Sequence, residues 1–408
     1  MRLTDGHIQL APTDLGPHLE CAHATACARA FALGAGPGPA GGGDYQELIR
    51  TKGDLHEARV LARLREAGID IVEIPRTDEP EQAQELTLRA MRAGAQAIAQ
   101  ATFVRDGWSG RADILERVDT PTALGGWGYE AVDAKLARNE ALPHHVLQLG
   151  VYSEWIAQVQ GVPPRHMHLE LGSGRRETIV VADVAAYVRH ARARLRAAVT
   201  DAPPTEPVRC SHCAVCGFRK RCETWWFEHD DLNQVAGLRR DQAIALRHAG
   251  VPTLTELAES PDELVVADLA PRALEDLRHQ AQLQLQARRD KTLPFDLRPA
   301  EERRGLGRLP EPDPADIFLD LEGDPFWDPA RELWFLFGYV ILEDGQWRYV
   351  DIWAHTPQEE GEAFGALVDV MTARRATAPD MHVYHYSPAE PSALRRLASQ
   401  PSSRESQM

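Results

Sequence analysis

Two aspartates and a lysine carry the first chemical suggestion in this sequence. Asp113 lies in the run Gly110-Arg111-Ala112-Asp113-Ile114-Leu115, and Asp133 and Lys135 flank Ala134. Residues two apart on a strand project from the same face, so Asp133 and Lys135 point at one spot. Asp113 reaches that spot too if its strand is a neighbour. Carboxylates grouped in this way suit a hard divalent cation, Mg²⁺ or Mn²⁺, which takes oxygen ligands and keeps several waters. A lysine beside them orients or deprotonates an attacking water, or stabilises the charge that develops on a phosphate. Gln148 and Tyr152, at i and i+4, share one face of the helix that follows, and His56 offers a nitrogen ligand from an earlier helix. Taken singly, these residues also read as a solvated surface pair, a plain helix face and a satisfied helical histidine. Their order along the chain favours a site. So does the lysine itself, because all but four of the 45 basic residues are arginine.

A second candidate centre is made of thiols. Cys210, Cys213, Cys216 and Cys222 crowd together, while Cys21 and Cys27 lie far upstream. In a reducing compartment such clustering favours a metal over disulfides. A local zinc knuckle of the four clustered cysteines is one reading, and a set of merely buried apolar cysteines is another. Arg209, Arg219, Lys220 and Arg221, with Trp225 and Trp226, could contact phosphates and stack on bases, or belong to a core. Near the other end, Asp320 and Glu322 alternate with apolar residues and share one face at a strand terminus, a plausible start for a two-metal ligand set.

The elements needed to position these residues can be read from periodicity and punctuation. Residues 45–67 have helical spacing, with Leu48, Leu55, Val60, Leu61 and Leu64 in an apolar stripe. Residues 69–74 predict a short strand, and the alanine-rich residues 81–101 a long helix. Asp106-Gly107 between two β-favouring runs predicts a hairpin over 102–118. Strands over 128–136, 166–171 and 178–181 follow, with helices over 143–159 and 184–199. Together they predict an α/β fold, a small mixed sheet flanked by helices. Residues 232–285 read as helical, and His248-Ala249-Gly250-Val251 suggests the turn of a helix-hairpin-helix. A Pro/Arg/Glu-rich linker leads into a further strand, strand, strand, helix, strand, helix order. The expected organisation is 1–227, a helical segment 228–293, a linker 294–314 and a last domain 315–408.

In order, Gly53-x-x-His56, Gly110-Arg111-x-Asp113, Asp133-x-Lys135 and Gln148-x-x-x-Tyr152 resemble the motifs of RecB-like nucleases of the PD-(D/E)XK superfamily. The resemblance covers roughly residues 12–225. It implies a restriction-endonuclease-like core in which His56, Asp113 and Asp133 hold Mg²⁺ or Mn²⁺. Lys135 would be the catalytic lysine, with Gln148 and Tyr152 contacting the site and the DNA. Within this group the AddB kind carries one cysteine before the core and Cys-x2-Cys-x5-Cys after it, ligating a [4Fe–4S] cluster. Cys21, Cys213, Cys216 and Cys222 are similar in spacing and placement, which leaves Cys210 surplus and zinc as the alternative. Residues 315–408 resemble an incomplete RNase H-like domain of the DEDD exonuclease kind, with Asp320, Glu322 and Glu390 as acids and no candidate for the fourth. The whole chain is similar to the front part of a long RecB-like nuclease/helicase family. That implies a DNA-cutting enzyme of repair or recombination working beside a helicase. The alternative is a non-catalytic DNA-binding or scaffold module held by the same Fe–S or zinc staple.

Composition bounds these readings. The chain has 408 residues, a net charge of −16 and 43% apolar residues, a globular balance that excludes wholesale disorder. The acidic excess argues against a broad nucleic-acid-coating surface but leaves room for a local basic groove. No apolar run approaches the ~18–20 residues of a membrane span, and the first residues lack a signal-peptide pattern, so the expectation is a cytoplasmic protein without membrane contact.

Overall fold

The computed structural model describes residues 1–77, 79–138, 140–328 and 331–399. It is a mixed α/β structure divided into two compact units. One is built from Met1–Leu171 and Arg175–Asp296, the other from Gly172–Gly174 and Leu297 onward.

The first unit opens with a hairpin of β1 (Arg2–Thr4) and β2 (His7–Gln9), followed by α1 (Leu15–Glu20), α2 (Ala22–Ala32) and the long α3 (Asp44–Glu66). Next come β3 (Ile71–Glu73), α4 (Pro80–Ala93), β4 (Ala97–Arg105), β5 (Trp108–Val118) and β6 (Gly128–Lys135). Then α5 (Pro143–Gln160), β7 (His166–Leu171), β8 (Arg176–Val180) and α6 (Val181–Thr200) complete the sheet and its cover. The six strands from β3 to β8 lie side by side in chain order. β4, β5 and β6 pair antiparallel, whereas β6 and β7 run parallel because α5 intervenes as a crossover. Asp106 and Gly107, at φ 51° and 76°, make the tight turn between β4 and β5 that their identities predict.

The two faces of this sheet are packed by different helices. Leu115 and Ala131 join Val151, Tyr152 and Trp155 of α5 in the main apolar core. Ile114 and Val132, on the opposite face, cluster with Val60 of α3. Gly150 lets α5 and α6 approach closely, since a Cβ there would meet Val188 Cγ2 at 2.5 Å. The predicted stripe on α3 is only partly used, because Leu48 and Leu55 are exposed.

One predicted element is corrected. The alanine-rich stretch 81–101 is not one helix, because α4 stops at Ala93 where Gly94 takes a left-handed conformation at φ 72°. Ala97, Ile98, Ala99 and Ala101 then enter β4, fully buried between its neighbours. Burial in the sheet outweighs the modest helix preference of alanine.

After α7 (Arg219–Glu228), helices α8 (Arg240–His248), α9 (Leu254–Ala258) and α10 (Pro271–Asp290) close on an apolar cluster of their own. Gly250, at φ 81°, turns the chain between α8 and α9. In the second unit, β9 (Ile317–Asp328), β10 (Arg331–Glu343), β11 (Gln346–Trp353), α11 (Pro357–Thr377), β12 (Val383–Tyr384) and α12 (Ala389–Ala398) follow in order. The strand order is β11-β10-β9-β12, antiparallel except that β12 runs parallel to β9. Both helices cover one face, packing Phe364, Leu367, Leu394 and Leu397 on Ile317, Leu319, Leu321 and Phe337. Among the described residues, no helix is long and apolar enough to cross a membrane.

Candidate active site

The register of β5 and β6 sets Leu115 opposite Ala131 and Ile114 opposite Val132. One residue further along, the same register brings Asp113 beside Asp133. Asp113 Oδ2 accepts the Ala134 amide at 2.9 Å, which fixes its carboxylate at the strand end. Lys135 Nζ lies 2.7 Å from Asp133 Oδ2 and 3.9 Å from Asp113 Oδ2. The three residues predicted to converge do so.

Their burial is unequal, and this sets the electrostatics. The Asp133 side chain is 1% exposed and that of Lys135 23%. Asp133 Oδ1 has no hydrogen-bond partner, whereas Oδ2 is met by the Lys135 ammonium. Burial, and then the Asp113 charge, push the Asp133 pKa well above the usual carboxylate range. Burial alone would lower Lys135, but the Asp133 and Asp113 carboxylates outweigh it and raise the ammonium pKa. Lys135 therefore carries its proton at neutral pH.

Helix α5 closes the site from above the sheet. Gln148 Nε2 donates to Tyr152 Oη at 3.3 Å, and both side chains are buried. Burial, followed by the Asp133 charge, holds the Tyr152 phenol protonated far above its ordinary range. Gly110 is small for a reason: a Cβ there would meet Pro12 Cδ at 2.8 Å and Tyr152 Cε1 at 3.0 Å. At the start of α5, His145 is pushed down to about 3 by burial, then by His144 and Lys135, so it stays neutral.

His56 is buried, with its Nε2 2.9 Å from the Glu170 carbonyl oxygen. That carbonyl belongs to the residue that the β6–β7 register sets opposite Ala134. The next residue, Glu57, was not anticipated, and its side chain turns toward the site. Gln100 Nε2 donates to Glu57 Oε1, and burial and then the Asp113 charge raise the Glu57 pKa. Gln100 stands across from Asp113 in the β4–β5 register, in a left-handed conformation at φ 58°. Adjacent helical residues point about 100° apart, so spacing alone could not say which of His56 and Glu57 faces the acids.

The cysteines gather as well. Cys210 Sγ is 3.9 Å from Cys213 Sγ, and Cys21 Sγ accepts the Ala24 amide at the start of α2. Burial raises the Cys210 thiol to about 11, with the charges of Cys213 and Cys21 adding to it. Burial likewise pushes Cys222 up to about 12, with Cys27, Cys21, Cys216 and Cys213 all contributing. Each of the six thiols, Cys27 included, thus lies within electrostatic reach of at least one other. Burial raises the Cys27 and Cys216 thiols as well, and the all-thiol donor set fits a thiolate-ligated group. Among the described residues, no three histidine, cysteine or carboxylate side chains already close into a metal-sized cage, at this cluster or at the acids.

In the second unit Asp320 and Glu322 look out from the uncovered sheet face. Glu390 is buried at the start of α12, where it accepts from Ser387 Oγ at 2.9 Å and lies 3.7 Å from His385 Nδ1. The three acids are not gathered. A different carboxylate, Glu360, is the fully buried one, accepting the Trp334 amide at 2.8 Å and pairing with Arg331.

Comparison with protein families and with curated proteins finds no match for this chain.

Proposed function

We propose that this chain is a metal-dependent nuclease that hydrolyses DNA phosphodiester bonds through the site on β5 and β6. The observation that carries this reading is the fully buried Asp133 carboxylate beside Asp113, its Oδ1 without a hydrogen-bond partner and its Oδ2 met by Lys135 Nζ at 2.7 Å. An orphaned carboxylate oxygen of this kind fits Mg²⁺ or Mn²⁺, with Asp113, Asp133 and Glu57 as candidate ligands. When bound, the metal supplies a Lewis acid at the phosphoryl group. Lys135, held protonated, stabilises charge on the phosphoryl oxygens and orients the attacking water rather than deprotonating it. The neutral Tyr152 phenol and Gln148 line the cover of the site, where they exclude water and offer hydrogen bonds to a bound strand.

The cysteine cluster is proposed as a structural [4Fe–4S] staple on Cys21, Cys213, Cys216 and Cys222, with zinc as the alternative. It would tie the start of α2 to α7 and the segment before it. The strand order of the second unit supports the reading of an RNase H-like domain. Work beside a helicase is part of the same proposal.

The competing reading is a non-catalytic DNA-binding or scaffold module, held by the Fe–S or zinc staple and serving a helicase, and a metal site that stays vacant in excess Mn²⁺ would favour it. One assay separates the two. Wild type should cleave single- or double-stranded DNA in Mn²⁺, Lys135→Ala should not, and Asp320→Ala should cleave as wild type. Cleavage retained by Lys135→Ala, with contaminating nuclease excluded, would refute the site.

A further inference from the structure

Between the β1–β2 hairpin, the start of α4 and the first half of β5 lies a cavity of about 340 Å³. That is within the size range of small-ligand sites. Its polar lining comes from Arg2, Gln9, Thr77, Thr102, Ser109 and Arg111. Among the described residues, no carboxylate lines it. Ser109, Arg111 and Asp113 alternate along β5, so the cavity opens on the same strand face as the acids. Two residues of strand separate Arg111 from Asp113 by about 7 Å.

Arg111 is the unusual group. Its Nη2 makes one long contact of 3.4 Å to the Ile74 carbonyl, and its Nε is buried without a partner. Arg76 lies close enough for its charge to reach Arg111. Among the described residues, neither Arg111 nor Arg76 nor Arg2 forms an ion pair. Arg2 instead donates to Gln9 Oε1 at 2.7 Å, and the N-terminal ammonium is neutralised by Asp14 at 2.8 Å. A half-desolvated guanidinium with spare donors, a second cation at hand and three hydroxyls around the cavity form a receptor for a compact oxyanion.

We propose that this cavity is a phosphomonoester subsite that holds the terminal phosphate of a nucleic-acid strand. This rests on the nuclease reading and extends it. At ~3.4 Å of rise per nucleotide, an end held at Arg111 lies within about two nucleotides of Asp113. The chain then removes nucleotides from a phosphorylated end rather than cutting internally.

The test compares short single strands bearing a 5′-phosphate, a 3′-phosphate or only hydroxyl ends, with a circular strand as control. Binding is measured in EDTA by fluorescence anisotropy, and cleavage is measured in Mn²⁺. One phosphorylated end should bind wild type about tenfold or more tightly than a hydroxyl end, the effect of a charge-assisted hydrogen bond. Arg111→Gln should abolish that preference and Arg2→Gln, at an exposed position, should reduce it. In both, KM should rise with kcat unchanged. The subsite is overturned if wild type does not distinguish the ends, if the preference survives both substitutions, or if circular DNA is cut as fast as linear. A free deoxynucleoside monophosphate that binds where phosphorylated strands do not would also overturn it. Should wild type bind phosphorylated ends through Arg111 yet cleave nothing in Mn²⁺, the subsite stands and the nuclease reading falls.

Discussion

Lys135→Met tests whether the buried carboxylate is as exposed to electrostatic penalty as its surroundings imply. The substitution keeps the aliphatic bulk and removes the only cation within 4 Å of Asp133 among the described residues. Breaking a buried pair costs ~3–5 kcal/mol, and the residual exposure of Lys135 favours the lower figure, about 3 kcal/mol. With an unfolding entropy of ~2.1 cal/mol/K per residue over the roughly 290 residues of the first unit, each degree is worth about 0.6 kcal/mol. The expected loss is therefore about 5 °C in the melting of that unit at pH 8. The sign with pH follows from Asp133, whose folded pKa already stands above its unfolded value. A raised acid binds its proton more tightly when folded, so its cost is absent below about pH 4 and grows as pH rises toward the folded pKa. Without Lys135 that folded pKa climbs further, so the deficit at pH 8 should shrink as the pH is lowered to 5. Adding Asp133→Asn should recover at least half of the loss at pH 8. Scanning calorimetry of wild type, single and double variants at both pH values checks this. A single variant melting within about 1 °C of wild type at pH 8, or a double variant without recovery, refutes the reasoning.

Three further outcomes follow from the geometry. Glu57→Gln should weaken Mn²⁺ binding about tenfold, measured by calorimetric titration, whereas His56→Gln should weaken it less; the reverse ranking would restore His56 as the metal-facing residue. Anaerobically purified protein should be brown, absorb near ~400 nm and contain iron and sulfide, with the colour lost in Cys21→Ser and kept in Cys210→Ser; zinc without iron, lost in Cys210→Ser but not in Cys21→Ser, would make the centre a local knuckle. Gly110→Ala should lower the first unit's melting by the ~1–3 kcal/mol of an overpacked core and impair cleavage, because the new methyl meets Pro12 and Tyr152; unchanged melting and activity would show that Tyr152 is free to move.

What the sequence made legible, and what it hid, divides along the range of the interactions involved. The hairpin at Asp106-Gly107 and the Asp133-x-Lys135 face follow from local chemistry, turn geometry in one case and strand alternation in the other. The convergence of Asp113 with them needed only neighbouring strands. The end of α4 was hidden because alanine has no strong strand signal, and the burial that draws Ala97–Ala101 into β4 comes from strands and a helix distant in sequence. The choice between His56 and Glu57 was hidden for a related reason. It depends on the rotation of α3, which is fixed by Val60 meeting Ile114 and Val132 and by the Glu170 carbonyl meeting His56. Arg111 sits inside a recognised motif, yet its chemistry became visible only with the cavity that Arg2 and Thr102 complete from other strands. A motif thus reports which residues stand near the acids, while the partners each one lacks are decided by packing. Missing partners sharpen the two proposals: Asp133 Oδ1 and Arg111 Nε, both buried and unpaired, lie on adjacent strands, where a cation site and an anion site would stand side by side.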